Sequence, residues 1–238
     1  MEFAVLTSGG KDSLFSAYYM YIQGWDIRAL IKVNPKNADS YLFHTVNLDA
    51  VDFQAQAMSV GVATVEVGGK KELEVEELKS GLRAVAKEYG LSFLVTGAIA
   101  SEYQRTRFDR VCEEIGIKNL SPIWHKNAEK LFKTYLEEGF KFVFSGVYAM
   151  GLNASWLGRI ISFRDMKELV ELNQKYGVSV VGEGGEYESL VVDCPLFNKA
   201  LCVKGVKKVG ALRAEFSLSN ITLVEKPIRA RTRLVTVL

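Results

Sequence analysis

The sequence predicts an α/β fold: a doubly wound parallel sheet over residues 1–125, then a smaller α+β domain over 126–238. Three observations carry this expectation. Strand-length apolar runs alternate with helix-period stretches through the first half, the pattern of β-α units that build a parallel sheet. A glycine-rich turn, Ser8-Gly9-Gly10-Lys11-Asp12-Ser13, joins the first strand to the first helix. The second half loses the regular alternation and ends in several short strands.

Strand one, at about residues 2–7, is built on Phe3-Ala-Val-Leu6. Leu14, Ala17, Tyr18, Tyr21 and Ile22 then share one helical stripe, which stops near Gly24. Ile27–Val33 reads as strand two and Asn34-Pro-Lys-Asn-Ala-Asp39 as a turn-rich loop. A helix at about 49–60 precedes a short strand at Thr64–Val67. Val75, Leu78, Leu82, Val85, Ala86 and Tyr89 recur at helical spacing up to Gly90. Leu91–Thr96 is near-continuously apolar, as in a strand buried on both faces. Ser101 and Gln104 have the spacing of a helix cap, with Phe108, Val111, Cys112 and Ile115 forming the buried stripe behind it. Leu120–Trp124 closes the sheet as an edge strand, because Pro122 lacks the N–H a central strand needs.

The second half opens with a helix at about 126–138, a strand at Lys141–Ser145 and a glycine-rich stretch from Gly146 to Gly158. A helix at about 165–176 carries Met166, Leu169, Val170, Leu172 and Tyr176 and ends at Gly177. Val178–Val181, the glycine-rich Gly182–Glu188 and the run Leu190–Val192 follow, then strands near 200–209, 211–218 and 221–225. No internal repeat is present.

With 238 residues, 48% hydrophobic and 24% charged, the chain can bury an ordinary globular core. A net charge of +2 gives no mandate for nucleic-acid or membrane binding, and no direct nucleic-acid contact is expected. No run approaches the roughly 18 apolar residues of a membrane span. The first residues lack a leader pattern, so a cytoplasmic location is expected. Cys112, Cys194 and Cys202 form neither a disulfide framework nor a C-x-x-C pair, and each is expected to serve packing. His44 and His125 stand too far apart in sequence to suggest a zinc site.

The Ser8–Ser13 turn carries the first functional signal. Adjacent glycines let backbone approach an anion, and the helix start offers N–H groups and a positive dipole end. Lys11 adds charge, and Ser8 and Ser13 add hydroxyls. Glycine spacing excludes the Walker A loop and the dinucleotide fingerprint. Ligands in such sheets bind at the carboxyl ends of strands, which puts this turn and the loop starting at Gly97 on one rim. The second signal is Gly182-Glu183-Gly184-Gly185-Glu186-Tyr187-Glu188: three carboxylates, three glycines and a ring in seven residues. That composition suits a cationic ligand or a metal, and equally a solvated acidic turn between two strands.

The SGGKDS spelling resembles the PP-loop of the ATP pyrophosphatases, whose fold is a Rossmann-like parallel sheet of the adenine nucleotide alpha hydrolase type. Four stretches together resemble the diphthine–ammonia ligase (diphthamide synthetase) family in its compact archaeal-type form. They are residues 8–13, Ser40-Tyr-Leu-Phe-His-Thr-Val46 with the Gln56-Ala-Met58 helix, Gly97-Ala-Ile-Ala-Ser-Glu-Tyr-Gln-Arg-Thr-Arg107, and Gly182–Phe197. The resemblance covers nearly the whole chain and is carried most specifically by the last two.

The resemblance implies an ATP-binding domain at 1–125 and a substrate-binding domain at 126–238. It implies adenylation of the diphthine carboxylate on translation elongation factor 2, then displacement of AMP by ammonia, with ATP and Mg²⁺ as cofactors. Ser8, Gly9, Gly10, Lys11 and Ser13 would hold the phosphates, with Lys11 and Ser13 as catalytic groups. Asp12 would be a Mg²⁺ ligand or a helix cap, and Gly97 would lie near the adenosine. Glu102, Tyr103, Arg105 and Arg107 would face the same rim or pair on a solvated face. Glu183, Glu186, Tyr187 and Glu188, on the turn made by Gly184 and Gly185, would receive the trimethylammonium of diphthine. Arg229, Arg231 and Arg233 share a face of a C-terminal strand and are read as solvated or as meeting an acidic patch on the protein substrate. A homodimer stays open, as do two rival readings: a PP-loop enzyme adenylating a tRNA base, and an ATP-binding regulatory domain without turnover.

Overall fold

The computed structural model describes residues 1–35, 47–68 and 73–226. The Ser40–Val46 motif with His44, most of the 34–39 loop and the arginines at 229, 231 and 233 lie outside the described residues.

The first half forms β1 (Glu2–Leu6), α1 (Lys11–Ile22), β2 (Asp26–Pro35), α2 (Ala50–Met58), β3 (Gly61–Val67), α3 (Leu73–Tyr89), β4 (Phe93–Val95), α4 (Glu102–Ile115) and β5 (Lys118–Leu120). Its five strands are parallel in the order β3-β2-β1-β4-β5. The alternation of side chains along β1 explains the two layers. Phe3 and Val5 face one side, packing with Leu14 and Phe15 of α1 and Val51 and Ala55 of α2. Ala4 and Leu6 face the other, with Leu78, Leu82 and Val85 of α3 and Phe108 and Val111 of α4.

The second half forms α5 (Ala128–Glu137), β6 (Lys141–Val147), α6 (Phe163–Tyr176), β7 (Tyr187–Asp193), β8 (Lys199–Val209) and β9 (Ala214–Glu225). The last four strands make an antiparallel sheet ordered β7-β6-β9-β8. Phe142, Phe144, Tyr187 and Leu190 from this sheet share one apolar core with Phe3, Val5 and Phe15. The two sheets are therefore joined by buried contact, and segments from both can build one cleft.

Four sequence expectations need correction. Asn34 and Pro35 belong to β2, opposite Glu66 and Val67 of β3. β1 has ended by then, at Leu6 opposite Ile31, so Pro35 lies where β2 is paired on one side only. The edge strand β5 runs Lys118–Leu120, and Pro122 falls in the turn that follows. The strands expected at 211–218 and 221–225 are one long strand, β9, with a register shift opposite Lys204 and Gly205 absorbing the irregularity. Cys202 does not pack; it is exposed on the edge strand β8, whereas Cys112 and Cys194 are buried as expected.

The strand order reverses between β1 and β4, so the loops leaving these two strands open onto one crevice at the switch point. The turn at 7–10 and the loop at 96–101 are those loops.

Candidate active site

Two facts shape the first loop. Gly9 sits at φ +86°, in the left-handed region, and a Cβ there would come within 2.9 Å of Gln54 Oε1. The turn is then bonded internally. The Gly9 N–H donates to Thr7 Oγ1 at 2.8 Å, the Thr7 and Ser13 hydroxyls share a 2.6 Å hydrogen bond, and Ser13 Oγ reaches the Gly10 carbonyl at 3.2 Å. Gly10 caps α1 without a side-chain bond, which leaves the amide end of the helix at the crevice.

β7 clamps this loop from the second sheet. The Gly9 carbonyl accepts from Val191 N at 2.9 Å and from Gln54 Nε2 at 3.0 Å, and Gln54 Nε2 also reaches the Val191 carbonyl at 2.8 Å. Lys11 N–H donates to Ser189 Oγ at 3.2 Å. The Lys11 side chain is only 2% exposed, and its ammonium donates to the Val181 carbonyl at 2.6 Å and Asp12 Oδ2 at 2.9 Å. It also lies 4.9 Å from the centre of the Tyr187 ring. A buried ammonium needs such replacements for water: a carboxylate, a carbonyl and a ring face supply them. Tyr135 OH donates to Asp12 Oδ1 at 2.7 Å. Burial and then the Asp12 charge push the Tyr135 phenol well above its ordinary range, so it stays a proton donor.

The loop after β4 touches the first one backbone to backbone. A Cβ on Gly97 would sit 2.5 Å from Ser13 N and 2.8 Å from the Asp12 carbonyl carbon, so only glycine fits. Beyond it, Glu183 Oε1 accepts from three successive amides, Ile99 (3.3 Å), Ala100 (2.7 Å) and Ser101 (2.9 Å). A carboxylate of the second half thus holds the loop that starts α4, at the end of the helix where negative charge is favourable. Ser101 caps α4 through the Gln104 amide at 3.4 Å, as its spacing predicts.

Two cavities flank the glycine loop. One has an apolar wall of Leu6, Val33, Leu48 and Phe108 beside the hydroxyls of Thr7, Ser13 and Thr96. The other is walled by Ser145, Glu183, Glu188 and Ser189 and is acidic. Ser8, Gly10, Asp12, Gly97 and Gln104 line both, so the loop is their common wall.

The expected site residues fall into three groups. Ser8, Gly10, Asp12, Ser13 and Gly97 line the crevice, and Lys11 lines its acidic side. Glu183, Gly185, Tyr187 and Glu188 also reach that side, with much of their bonding capacity already used. Tyr187 is 4% exposed, stacks on Phe144 at 4.0 Å and donates to the Val180 carbonyl at 2.6 Å. Glu186 closes its own turn, accepting from Ser179 N at 2.9 Å and Gly184 N at 2.8 Å. Burial and then the Glu188 charge raise the neighbouring Tyr148 phenol. Glu102, Tyr103 and Arg105 line neither cavity: Glu102 and Tyr103 are exposed. Arg107 stacks on Tyr103 at 3.3 Å, and Arg105 lies 4.6 Å over Trp124 and 3.5 Å from Asp109. Gln104, from the same turn, faces the site instead.

Sequence reasoning missed Gln54, Tyr135 and Ser189 as site builders. Gln54 had a readable signal, a polar residue on the otherwise apolar stripe Val51, Ala55 and Met58 of α2. Tyr135 and Ser189 act through partners 123 and 178 residues away, which no local pattern encodes. Among the described residues no three His, Cys, Asp or Glu side chains cluster to hold a metal ion. Asp12 Oδ2 accepts from Lys11 and Oδ1 from Tyr135, which leaves each oxygen one further acceptor position. Burial pushes the thiols of Cys112 and Cys194 up to about 12, away from nucleophilic use.

A glycine turn at the switch point of a five-stranded parallel sheet, with a cavity on either side of it, defines an α/β protein of the Rossmann-like class. Residues 1–119 match the family model of the diphthamide synthase N-terminal domain and residues 127–222 that of the diphthamide synthase C-terminal domain. The chain belongs to the diphthamide synthase family. It is 33% identical over 228 residues to diphthine–ammonia ligase of Mus musculus, covering 88% of this chain and 85% of the mouse protein. The Homo sapiens ligase is 34% identical over 224 residues, 85% of this chain and 83% of that protein. The Schizosaccharomyces pombe ligase is 34% identical over 218 residues; these are 84% of this chain and 36% of the yeast protein, so the chain spans about a third of that relative. Among solved structures, glycinamide ribonucleotide transformylase 1 from Symbiobacterium toebii overlaps 60% of this chain and 62% of its own, at 17% identity and a TM-score of 0.28.

Proposed function

We propose that this chain is an AMP-forming ligase that amidates diphthine on translation elongation factor 2 to diphthamide, consuming ATP and ammonia. One observation carries the reading: the glycine loop is the shared wall of two cavities, one with an apolar wall and one acidic. An adenosine suits the apolar wall, and a side chain bearing a fixed trimethylammonium suits the acidic side. The α-phosphate and the diphthine carboxylate then meet at Ser8, Gly10 and Gly97.

The chemistry follows from what these residues offer. A carboxylate is a poor electrophile until one oxygen becomes part of a good leaving group. The diphthine carboxylate oxygen bonds to the α-phosphorus as the bond to the bridging oxygen breaks, and pyrophosphate departs. Ammonia then attacks the acyl carbon, AMP leaves, and a proton passes to water. Charge accumulates on phosphate oxygens in the first step, and the amide end of α1 and Lys11 stabilise it by position alone. Glu188 sets the cationic end of diphthine, while Glu183 holds the loop at 99–101. ATP is a substrate on this reading. Mg²⁺ would arrive on its phosphates, since the described carboxylates form no cage, and no step is assigned to it.

The tRNA thiolation rival needs a reactive cysteine pair. Among the described residues the two buried thiols lie far apart in sequence, and the third is alone on β8. No described helix is long and apolar enough to cross a membrane, and we place the reaction in the cytoplasm, with translation. The test is to incubate the protein with ATP, Mg²⁺ and ammonium, and follow AMP and pyrophosphate. AMP that depends on diphthine-bearing elongation factor is expected. AMP that depends on tRNA, or none under any condition, would overturn the reading.

A further inference from the structure

The β8–β9 hairpin leaves its outer end uncovered beside the acidic cavity. From Lys204 to Arg213 the chain reads Lys-Gly-Val-Lys-Lys-Val-Gly-Ala-Leu-Arg, with four cations and no acid. Val206, Val209 and Leu212 are 59%, 69% and 90% exposed. Lysines along an edge strand are an ordinary guard against chance pairing. Val206 shares the Lys208 face of β8 and Val209 the opposite face, with Leu212 in the turn beyond them, so the hairpin end carries exposed apolar groups on both faces, which is more than that guard requires.

Position indicates what it contacts. The strand register sets Glu188, Gly146, Glu215 and Lys208 in one row across β7, β6, β9 and β8. The hairpin turn at 210–213 lies just past that row, at the end of the sheet where Glu188 enters the acidic cavity. Two contacts fix this neighbourhood. Tyr148, whose N–H donates to the Glu186 carbonyl at 2.9 Å, has Glu188, Glu215 and Arg213 as the charges around its phenol. Lys207 Nζ donates to the Ala154 carbonyl at 2.8 Å, pinning the hairpin to the segment that carries Met150, itself 72% exposed.

A diphthine side chain belongs to a folded protein, so whatever inserts it must rest on the surface around the cavity mouth. Three strand spacings put Lys208 about 15 Å from Glu188. A standard interface covers about 800 Å² on each partner, a disc about 16 Å in radius. A footprint centred on the cavity therefore reaches the hairpin. We propose that the β8–β9 hairpin end, with Met150 beside it, is the docking surface for the protein that carries diphthine, and that the partner meets it with apolar and acidic side chains. This rests on the function proposed above.

The test compares wild type with Leu212→Asp and with the double variant Lys208→Glu/Arg213→Glu, all at exposed positions. Steady-state amidation of diphthine-bearing elongation factor should show its KM raised about tenfold or more in each, with the KM for ATP within about twofold. Raising salt from about 50 to about 300 mM should raise the wild-type KM and leave that of the double variant nearly flat. An unchanged KM for the factor overturns the inference, and so does an equal rise in both KM values, which would mean that the hairpin shapes the site. Wild-type dimers that Leu212→Asp dissociates, with KM for the factor unchanged, would assign the surface to a second copy of this chain and also overturn it. Wild type that fails to amidate the factor at all would strike the proposed function instead.

Discussion

At Gly97 a single hydrogen atom decides whether two loops can meet. A methyl group there would press on Ser13 N and the Asp12 backbone, neither of which can move without deforming the start of α1. Gly97→Ala should therefore raise the KM for ATP about tenfold or more, through about 1.4 kcal/mol of lost binding, with the far-UV circular dichroism unchanged. Wild-type ATP affinity in that variant would show that the loop contact does not shape the nucleotide site. The importance of Gly97 was legible because its strand ends on the same rim as Ser8. Lys11 was half legible: its identity and place in the loop were, but its bond to the Val181 carbonyl was not, because nothing near residue 11 announces a buried partner 170 positions on. Gln54 belongs to the same class. A buried amide that bonds two carbonyls, Gly9 and Val191, is a cross-brace, and it shows in the sequence only as one polar residue on an apolar stripe.

Among elements, the segment between α6 and β7 departs most from simple pattern reading. Val178, Val180 and Val181 are buried, yet they form no strand. Their carbonyls are satisfied by side chains instead: Asn173 Nδ2 bonds Val178, Tyr187 OH bonds Val180 and Lys11 bonds Val181. An apolar run can thus be buried loop when side chains take over the work of a ladder. The same segment delivers Glu183 to the loop that begins α4. Glu183→Ala removes the acceptor for three amides and should raise the KM for ATP by about tenfold, with faster hydrogen exchange at residues 99–101. Glu183→Gln, which keeps an acceptor oxygen, should fall between the two. A rise only in the KM for the diphthine-bearing factor, with exchange unchanged, would return Glu183 to the cation-binding role its composition suggested. The helices and parallel strands were the legible elements, since each carries its own period. The extent of β9 was not, because Ser219 and Asn220 interrupt its apolar pattern while its pairing to β8 continues.

For the whole molecule, the consequential feature is one core reaching into both sheets. Phe15, Phe142, Phe144 and Tyr187 lie in it together, so the glycine loop and the 181–191 segment are braced against each other. This explains how two motifs more than 170 residues apart in sequence come to form one site. The alternation of the first half and the irregularity of the second were readable from composition; their union was not, since a shared core leaves no local periodicity. A braced loop between two unlike cavities suits a reaction in which ATP and a carboxylate arrive from opposite sides. The most direct test of that claim uses elongation factor whose diphthine carboxylate carries ¹⁸O. Adenylation transfers one carboxylate oxygen to the α-phosphate, so mass spectrometry should find one ¹⁸O in the released AMP and the other in the diphthamide amide. Unlabelled AMP, or ADP with ¹⁸O in inorganic phosphate, would contradict it.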